Sequence, residues 1–236
     1  MIKKVLTYSL TMLLYGNTVN AQYDFKHWPK GKSPQEIGLR HTQQFLSAPH
    51  GKYGGNVKPH IPYFEVCNWY GALSFVKQTN NDTLRKKLIA RFDNVVESET
   101  DLLPYPDHVD YNVFGALPLE IYLQTSNEKY FSMGRMYADT QWAAPFGPRV
   151  NDAAVNYYNK GYSFQTRLWI DDMYMSIPFL CRYYQLSKDS VYLDDACRQA
   201  KLFKQYFFMT DKMLMSHIID LNYGKMNRIP WSRGNG

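Results

Sequence analysis

Apolar side chains recur every three or four residues in two long stretches of the chain. This spacing places them on one face of a helix, so each stretch predicts an amphipathic helix that packs against a core. No stretch of similar length alternates apolar and polar residues with period two, so strands are expected to be minor. The apolar positions are Leu84, Leu88, Phe92 and Val95 in the first stretch, and Tyr192, Ala196, Ala200, Phe203 and Phe207 in the second.

A further helix is predicted to begin at Pro34. Residues 33–36 read Ser-Pro-Gln-Glu, a capping box in which the serine and the glutamate bind each other's backbone N–H groups. The proline occupies the first helical position, where its missing N–H is not needed. A loop rich in Gly, Pro and His, from Pro49 to Pro62, is expected to end this helix.

A polar turn of similar composition recurs three times, each time between two aromatic-rich helical stretches. The turns begin at Thr79, Thr125 and Ser187, and the intervals of 46 and 62 residues each leave room for two helices and their loops. The stretch before each turn is nearly free of charge, whereas the stretch after it is amphipathic, as expected for the inner and outer layers of a helical toroid. The pattern therefore predicts an all-α fold of stacked helical hairpins.

The first 21 residues have the features of a targeting segment. Lys3 and Lys4 precede a mostly apolar run from Val5 to Tyr15, and cleavage is expected after Ala21. The run has 11 residues, whereas a membrane span needs about 18, and no later stretch approaches that length. We therefore expect an exported protein, periplasmic or secreted, with no membrane span.

Charge and composition narrow the classes of function. The chain has 27 Lys and Arg residues against 21 Asp and Glu, and the net charge of +6 is too small to indicate nucleic-acid binding. The chain is rich in aromatic residues, with 5 Trp, 20 Tyr and 13 Phe. Tyr-rich clefts suit sugars, because the ring has an apolar face and a polar tip, although most of these rings are expected to fill helix interfaces. Cys67, Cys181 and Cys197 fit no metal spacing and are expected to be mostly buried thiols.

Two aspartates fall at equivalent points of the hairpin repeat. Asp110 lies 15 residues before Thr125 and Asp171 lies 16 before Ser187, so both are expected near the start of an inner helix, at one end of the bore. Helix N-termini favour anions, which suits a carboxylated ligand. Taken by themselves, such acids are more often helix N-caps than catalysts.

Four segments carry a resemblance to a known family. They are residues 107–115 (DHVDYNVFG), residues 168–175 (LWIDDMYM), the single His217, and residues 231–236 (WSRGNG). In order and spacing they resemble the unsaturated rhamnogalacturonyl hydrolases of glycoside hydrolase family 105, relatives of the unsaturated glucuronyl hydrolases of family 88. The Trp-x-Asp-Asp and Trp-x-Arg-Gly-Asn-Gly motifs are specific as a pair, and the resemblance extends over nearly the whole mature chain.

The resemblance implies an (α/α)6 toroid of six helical hairpins and a hydrolase that uses no metal and no cofactor. Such enzymes hydrate the C4–C5 double bond of an unsaturated uronate at the non-reducing end of an oligosaccharide, after which the sugar ring opens by itself. The implied substrates are products of polysaccharide lyases, above all unsaturated galacturonate linked to rhamnose, from rhamnogalacturonan in pectin. The expected partner is therefore an oligosaccharide.

The resemblance also assigns two catalytic acids. Asp171 matches the general acid/base and Asp110 matches a second essential carboxylate, and two such acids in one pocket would keep a proton available near neutral pH. Asp172 points elsewhere on its helix and is expected to be structural. Asp107, His108 and Asp110 suit a metal by residue type, but no His-x-x-x-His pair or Cys/His set accompanies them.

Four further residues are implied to bind substrate. Trp169 would pack on the sugar and Trp231 would lie beside it, while His217 and Arg233 would contact the substrate. We expect Arg233 to pair with the substrate carboxylate. Without the resemblance, Trp169 would be a core residue, His217 a hydrogen-bonded loop histidine and Arg233 a solvated charge.

The chain ends at Gly236, inside the terminal motif, where relatives continue with further hairpins. At about 50 residues per hairpin, residues 22–236 supply about four of six hairpins, so we expect a partial domain from a truncated chain. Two alternatives stay open at this point. One is a non-catalytic fragment with residual sugar binding, and the other is a toroidal glycosidase that uses paired carboxylates on a saturated sugar.

Overall fold

The structure, a computed structural model, describes residues 27–51, 59–220 and 225–235. The predicted targeting segment, residues 1–21, lies outside this part of the chain. The chain divides into two units, Met1–Ile37 and Gly38–Gly236.

The described part of the first unit contains the predicted capping box. The Ser33 hydroxyl oxygen accepts a hydrogen bond of 3.2 Å from the Glu36 N–H, and the Glu36 carboxylate accepts one of 3.1 Å from the Ser33 N–H. A helix opens at Pro34, as predicted, because this box satisfies N–H groups that the first turn leaves free.

Most of the described chain is helical, which confirms the predicted all-α class. Two short antiparallel pairs, β1 with β2 and β3 with β4, are the strands seen among the described residues. None of the helices in this part of the chain combines the length and the apolar character needed to cross a bilayer. The helices are α1 Pro34–Ser47, α2 Tyr63–Gln78, α3 Asp82–Glu97, α4 Val109–Asn112, α5 Ala116–Thr125, α6 Glu128–Thr140, α7 Asp152–Asn159, α8 Asp171–Ser187, α9 Ser190–Phe207 and α10 Ser232–Asn235; the strands are β1 Phe208–Met209, β2 Leu214–Met215, β3 Ile219–Asp220 and β4 Lys225–Met226; 3₁₀ turns cover Thr100–Leu102 and Val113–Gly115.

Three helical hairpins form at the three predicted turns: α2 with α3, α5 with α6, and α8 with α9. In each turn one residue adopts a left-handed conformation, and the next residue is an Asn or Asp that caps the following helix. Each cap side chain accepts a hydrogen bond of 3.1 Å from a backbone N–H. The left-handed residues and their following caps are Asn80 and Asn81, Ser126 and Asn127, and Lys188 and Asp189.

The helices before the turns form an inner layer, in which α2 packs against α5 and α5 packs against α8. The helices after the turns pack against their own partners, as the amphipathic pattern predicts. On α9, Ala196, Phe203 and Phe207 are buried, while Tyr192 and Ala200 are half-buried. On α3 the buried residues are the predicted Leu84, Leu88, Phe92 and Val95.

Two of the buried acids of the inner layer are Glu65 on α2 and Glu120 on α5. Each is paired with an arginine: Arg91 lies 3.2 Å from Glu65, and Arg182 lies 2.6 Å from Glu120. An isolated charge at such a position would cost several kcal/mol. These ion pairs therefore offset the cost of burying charged side chains in the inner layer.

The expectation of mostly buried thiols is wrong for two of the three cysteines. All three are free, with Cys67 and Cys197 exposed and Cys181 half-buried. Cys197 directly follows the buried Ala196, and one residue turns a helix by about 100°, which carries its side chain off the buried face. The Cys67 side chain does not lie on the core side of α2. It lines cavities beside the inner helices.

A second, smaller core lies under the segment that leads into α8. It joins this segment to α9 and β3, and so holds the N-terminus of α8 in place. Its buried members are Tyr162, Leu168, Ile170, Phe203, Phe207 and Ile219.

Candidate active site

Backbone pairing brings His217 next to the start of α8. Trp169 and Ile218 form an antiparallel bridge, and the Ile170 N–H donates to the His217 carbonyl at 2.8 Å. Leu168 has a φ of +58°, a left-handed conformation that costs about 1 to 2 kcal/mol for a residue with a side chain. Complete burial of Leu168 in the smaller core offsets this strain, and the bend sends Asp171 into the first turn of α8.

The terminal motif folds back onto the same place. The Asn235 side chain accepts from the Met215 N–H at 2.6 Å and donates to the Met215 carbonyl at 3.0 Å. Gly234 lies so close to Ile170 that a Cβ at this position would overlap the Ile170 side chain. The asparagine and the glycine of the motif therefore place the preceding Arg233 beside Asp171.

Asp171 lies at the centre of this arrangement and is only 7% exposed. Its Oδ1 accepts from Arg233 Nε at 2.9 Å and lies 2.7 Å from Arg233 Nη2. Its Oδ2 lies 3.3 Å from His217 Nε2, within ion-pair distance, but the angles do not meet hydrogen-bond geometry. Within the described chain, Oδ2 is therefore a buried oxygen without a hydrogen-bond partner.

Two tryptophans enclose the His217 ring. The Trp169 ring contacts the His217 ring with the two centroids 5.4 Å apart. The Trp231 ring stacks on the His217 ring with a centroid distance of 5.2 Å and an interplanar angle of 16°. Both indoles keep exposed surface, 37% for Trp169 and 41% for Trp231. Trp169 is therefore not a core residue, and the two indoles provide the kind of apolar, aromatic surface that packs on sugar rings.

Asp171 and Arg233 line a cavity of about 560 Å³, together with Tyr63 and Cys67 of α2. This volume is within the range of small-molecule sites. A slightly larger cavity of about 610 Å³ lies between residues 38–48 and α2, but no acid lines it. Volume alone therefore does not select the site, whereas the convergence of charged and aromatic groups does.

Asp110 lies in the first turn of α4 and binds the Arg167 guanidinium through both oxygens, at 2.9 and 3.0 Å. It is not an N-cap: His108 caps α4, with its Nδ1 accepting from the Asp110 N–H at 3.2 Å. Asp110 and Arg167 line a smaller cavity of about 200 Å³, and Tyr63 borders both this cavity and the one at Asp171. Asp171 does not cap its helix either, since the residue before α8 makes no side-chain cap.

Asp172 is fully buried and binds the segment that precedes α8. Its Oδ2 accepts from the Thr166 hydroxyl at 2.9 Å and from the Arg167 N–H at 2.6 Å. Its Oδ1 accepts from Arg167 Nη2 at 2.7 Å. These bonds agree with the structural role expected for Asp172.

The sequence reasoning missed Arg167. It lies two residues before the Trp-x-Asp-Asp motif, and a basic residue at that place was the available signal. The structure shows that its guanidinium joins Asp110 of α4 to Asp172 of α8. Arg233, expected to contact the substrate, pairs with Asp171 in the structure while its side chain stays 63% exposed.

The site contains more acids than cations. Three carboxylates, Asp110, Asp171 and Asp172, meet two guanidiniums, Arg167 and Arg233, so minus three plus two leaves one negative charge. Burial, together with the negative charges of Asp172 and Asp171, outweighs Arg167 and raises the pKa of Asp110 to about 6. One proton would balance the charge, and Asp110 is a carboxyl that holds it in mildly acidic solution.

His108 is neutral at the edge of this group. Burial, followed by the charges of Arg167 and Arg149, lowers the pKa of His108 to about 3. This agrees with its Nδ1 acting as a hydrogen-bond acceptor, and the 4.0 Å approach to Asp110 Oδ2 is therefore not an ion pair.

The Asp107-His108-x-Asp110 segment does not gather its carboxylates at one point. Asp107 binds Arg149, whereas Asp110 binds Arg167. Across residues 27–51, 59–220 and 225–235, no three side chains of metal-binding type come together.

Comparison with known protein families gives a match over most of the chain. The sequence model of the family described as Glycosyl Hydrolase Family 88 matches residues 42–236. The matched range contains Asp110, Arg167, Asp171, His217 and Arg233.

Proposed function

The chain belongs to glycosyl hydrolase family 88, and on that premise we propose that it hydrates the C4–C5 double bond of an unsaturated uronate at the non-reducing end of an oligosaccharide. The observation that carries the proposal is the convergence of His217 and Arg233 on Asp171, which lines a cavity with Arg233, while two exposed indoles pack on the His217 ring. This combination provides an acid, a cation for a carboxylate and an aromatic surface for a sugar ring.

Arg233 is suited to hold the substrate carboxylate. Its side chain is 63% exposed, and two of its N–H donors engage Asp171, which leaves others for a ligand. Arginine binds carboxylates through a planar fork, so it also orients the uronate ring. The exposed faces of Trp169 and Trp231 would pack against that ring.

We assign proton transfer to Asp171. It donates a proton to C4, and the ring oxygen stabilises the positive charge that develops at C5. Water adds at C5 as Asp171 takes back a proton, and the resulting hemiketal opens to a ketone. The hemiacetal left at C1 then collapses to an aldehyde and releases the remaining sugar.

The charge of the site supports this order of events. The net negative charge of the three acids and two arginines favours a positively charged transition state at C5. Asp110, with its raised pKa, supplies the second carboxyl and keeps a proton within the site.

Within this function we propose unsaturated galacturonyl-rhamnose, from rhamnogalacturonan in pectin, as the substrate, which corresponds to family 105. The support is the paired occurrence of Trp-x-Asp-Asp at residues 169–172 and Trp-x-Arg-Gly-Asn-Gly at residues 231–236. We also propose export of the protein after cleavage at Ala21, on the pattern of its first 21 residues.

The test is an assay on three substrates: unsaturated galacturonyl-rhamnose, an unsaturated glucuronyl disaccharide and a saturated nitrophenyl glycoside. We expect loss of the enol-ether ultraviolet absorbance with the first, slower loss with the second, and no reaction with the third. In D₂O the product should carry deuterium at C4, and in H₂¹⁸O it should carry the label at C5, because both positions receive solvent atoms during hydration.

Each of the other outcomes would point to a different function or a different substrate. Cleavage of the saturated glycoside, with label at C1 and none at C4, would indicate a paired-carboxylate glycosidase. Sugar binding without turnover of any of the three would indicate a non-catalytic binding protein. Preference for the glucuronyl disaccharide would agree with the proposed reaction but contradict the proposed substrate.

A further inference from the structure

Arg167 connects the two helices that carry the acids of the site. It binds both oxygens of Asp110 on α4, at 2.9 and 3.0 Å, and the Oδ1 of Asp172 on α8, at 2.7 Å from Nη2 and 3.2 Å from Nε. Its guanidinium also lies over the Trp169 ring, 4.6 Å from the centroid. One planar group thus makes four charge-assisted contacts and one cation–π contact.

The two ends of this connection differ in rigidity. Asp172 is fully buried, and its second oxygen accepts from Thr166 and from the Arg167 backbone, so it is a fixed anchor. Asp110 is less constrained: within the described chain, the hydrogen bonds to its carboxylate come from Arg167. The position of Asp110 therefore depends on Arg167, whereas the position of Arg167 does not depend on Asp110 alone.

The groups that face Asp110 come from several elements. From the segment before α8 comes Arg167, and from α8 itself come the charges of Asp172 and Asp171. The neutral His108 lies 4.0 Å away at the start of α4. The remaining ionisable walls of the small cavity are His60, Tyr63 and Tyr111. Among the charges acting on Asp110, Arg167 is the one that favours its ionised form.

We propose that Arg167 is a positioning residue of this site, which holds the Asp110 carboxylate in place and sets the pH at which that carboxylate takes up a proton. The inference rests on the proposed function for its kinetic consequence, but its effect on Asp110 is independent of any substrate. Arg167 acts through Asp110 and does not itself exchange the proton, since an arginine stays charged throughout the working pH range.

The first experiment needs no substrate. The ¹³C resonance of the Asp110 carboxyl, assigned by its loss in Asp110→Asn, is titrated in the wild-type protein, Arg167→Lys and Arg167→Gln. We expect the Asp110 titration midpoint to rise by about one pH unit, a tenfold gain in proton affinity, in Arg167→Gln, because the cation is gone and two acids remain. Arg167→Lys should shift it less, because the charge is kept and only the fork is lost. An unchanged midpoint in both variants would overturn the inference.

The second experiment is kinetic. In Arg167→Lys we expect kcat to fall about 10- to 100-fold with KM within threefold of wild type, because a misplaced carboxyl affects turnover more than binding. In Arg167→Gln the alkaline limb of the kcat profile should also move to higher pH, because the loss of one cation makes the net charge of the site more negative. A purely structural role would lower activity without moving that limb, and this result would overturn the inference.

The matched control is Arg135 of α6, which pairs with Asp139 at 3.3 Å and is 63% exposed. Arg135→Lys and Arg135→Gln should leave kcat, KM and the Asp110 titration unchanged. If Arg167→Gln does not fold, Arg167→Lys provides both readouts. A wild-type protein that is inactive on unsaturated uronides would overturn the proposed function, while the Asp110 titration would still decide the inference about Arg167.

Discussion

Two of the arginine–acid pairs in the described chain, Arg91 with Glu65 and Arg167 with Asp110, have acids whose pKa values shift in opposite directions. In each pair the acid lies in the first turn of a helix: Glu65 in α2 and Asp110 in α4. In each pair the arginine also lies over a tryptophan ring, Arg91 at 5.6 Å and Arg167 at 4.6 Å from the ring centroid. By residue type the two pairs look alike.

The pKa shifts of the two acids separate the pairs. Burial raises the pKa of Glu65, but hydrogen bonds from His50 at 2.6 Å, from the Gly51 N–H at 2.7 Å and from Arg91 together bring it below its usual value. Burial raises the pKa of Asp110 to about 6, and Arg167 does not reverse this. The Glu65 carboxylate thus binds donors from three different residues, whereas Asp110 shares one guanidinium with Asp172.

The number of hydrogen-bond donors available to each acid therefore distinguishes a structural pair from a functional one. A carboxylate with ample donors stays ionised and stabilises the fold, while one that competes for a shared cation can hold a proton.

The largest effect is expected from Asp171→Asn. An amide of the same shape cannot donate the proton to C4, and positioned acid/base groups contribute about 10² to 10⁴ in rate. We expect kcat on the unsaturated substrate to fall toward the upper end of that range. The thermal midpoint should stay close to wild type, measured beside Asp139→Asn as an exposed control. Near-normal turnover by a folded Asp171→Asn protein would instead assign the acid to Asp110 or Asp172.

The next effect is on stability, at Glu65. Glu65→Gln leaves the Arg91 guanidinium, only 14% exposed, without its anionic partner, and breaking such a buried pair costs about 3 kcal/mol or more. Urea denaturation should show this loss, while the kcat of the folded protein stays within threefold. Arg85→Gln, which breaks the exposed pair with Asp82, should cost less than about 1 kcal/mol. Equal losses in the two variants would contradict the structural assignment of Glu65.

The pH dependence of stability should have opposite signs at the two acids. The folded pKa of Asp110 is raised, so its stabilising contribution is present below about pH 4 and is lost as pH rises through about 6. Relative to Asp110→Asn, the wild-type free energy of unfolding should therefore fall by up to about 3 kcal/mol over that interval.

The folded pKa of Glu65 is lowered, so its contribution is present above the unfolded value and is lost as pH falls. Relative to Glu65→Gln, the wild-type protein should therefore gain stability as pH rises through about 4. Unfolding measured from pH 3.5 to 7.5 in the wild type and both variants decides the matter. Parallel curves for the two variants would show that the pairs do not differ.

A smaller effect is expected at Arg233, the exposed cation of the site. Its side chain is 63% exposed, against 29% for Arg167, so it is the guanidinium available to a ligand. Arg233→Ala should raise KM about tenfold and change kcat less, because a contact to the substrate carboxylate exists in both ground and transition states. Arg233→Lys should recover part of the affinity. A loss confined to kcat would mean that Arg233 serves Asp171 alone.

Local patterns were enough to predict the hairpins of this protein. The capping box at Ser33, the turn at Asn80 and Asn81, and the apolar spacing of α3 all depend on residues within a few positions of each other. Such features follow from backbone conformation and hydrogen bonding within one turn, so they are readable along the chain. The resemblance to a known family further implied that Asp171, His217 and Arg233 belong to one site, and the structure places them together.

Only the tertiary structure decided how the charges are shared. Arg167 and Asp110 are 57 positions apart, and Arg233 and Asp171 are 62 apart. Whether such groups pair, and with which partner, depends on how α4 and α8 pack and on how deeply each carboxylate is buried. The pKa of a carboxyl depends on its desolvation and on every charge near it in space. These cannot be read from the spacing of residues along the chain. For this reason the family resemblance indicated Asp110 and Asp171 as acids of the site but not Arg167, and the fold determined that Asp110 shares one arginine with Asp172 and has a raised pKa.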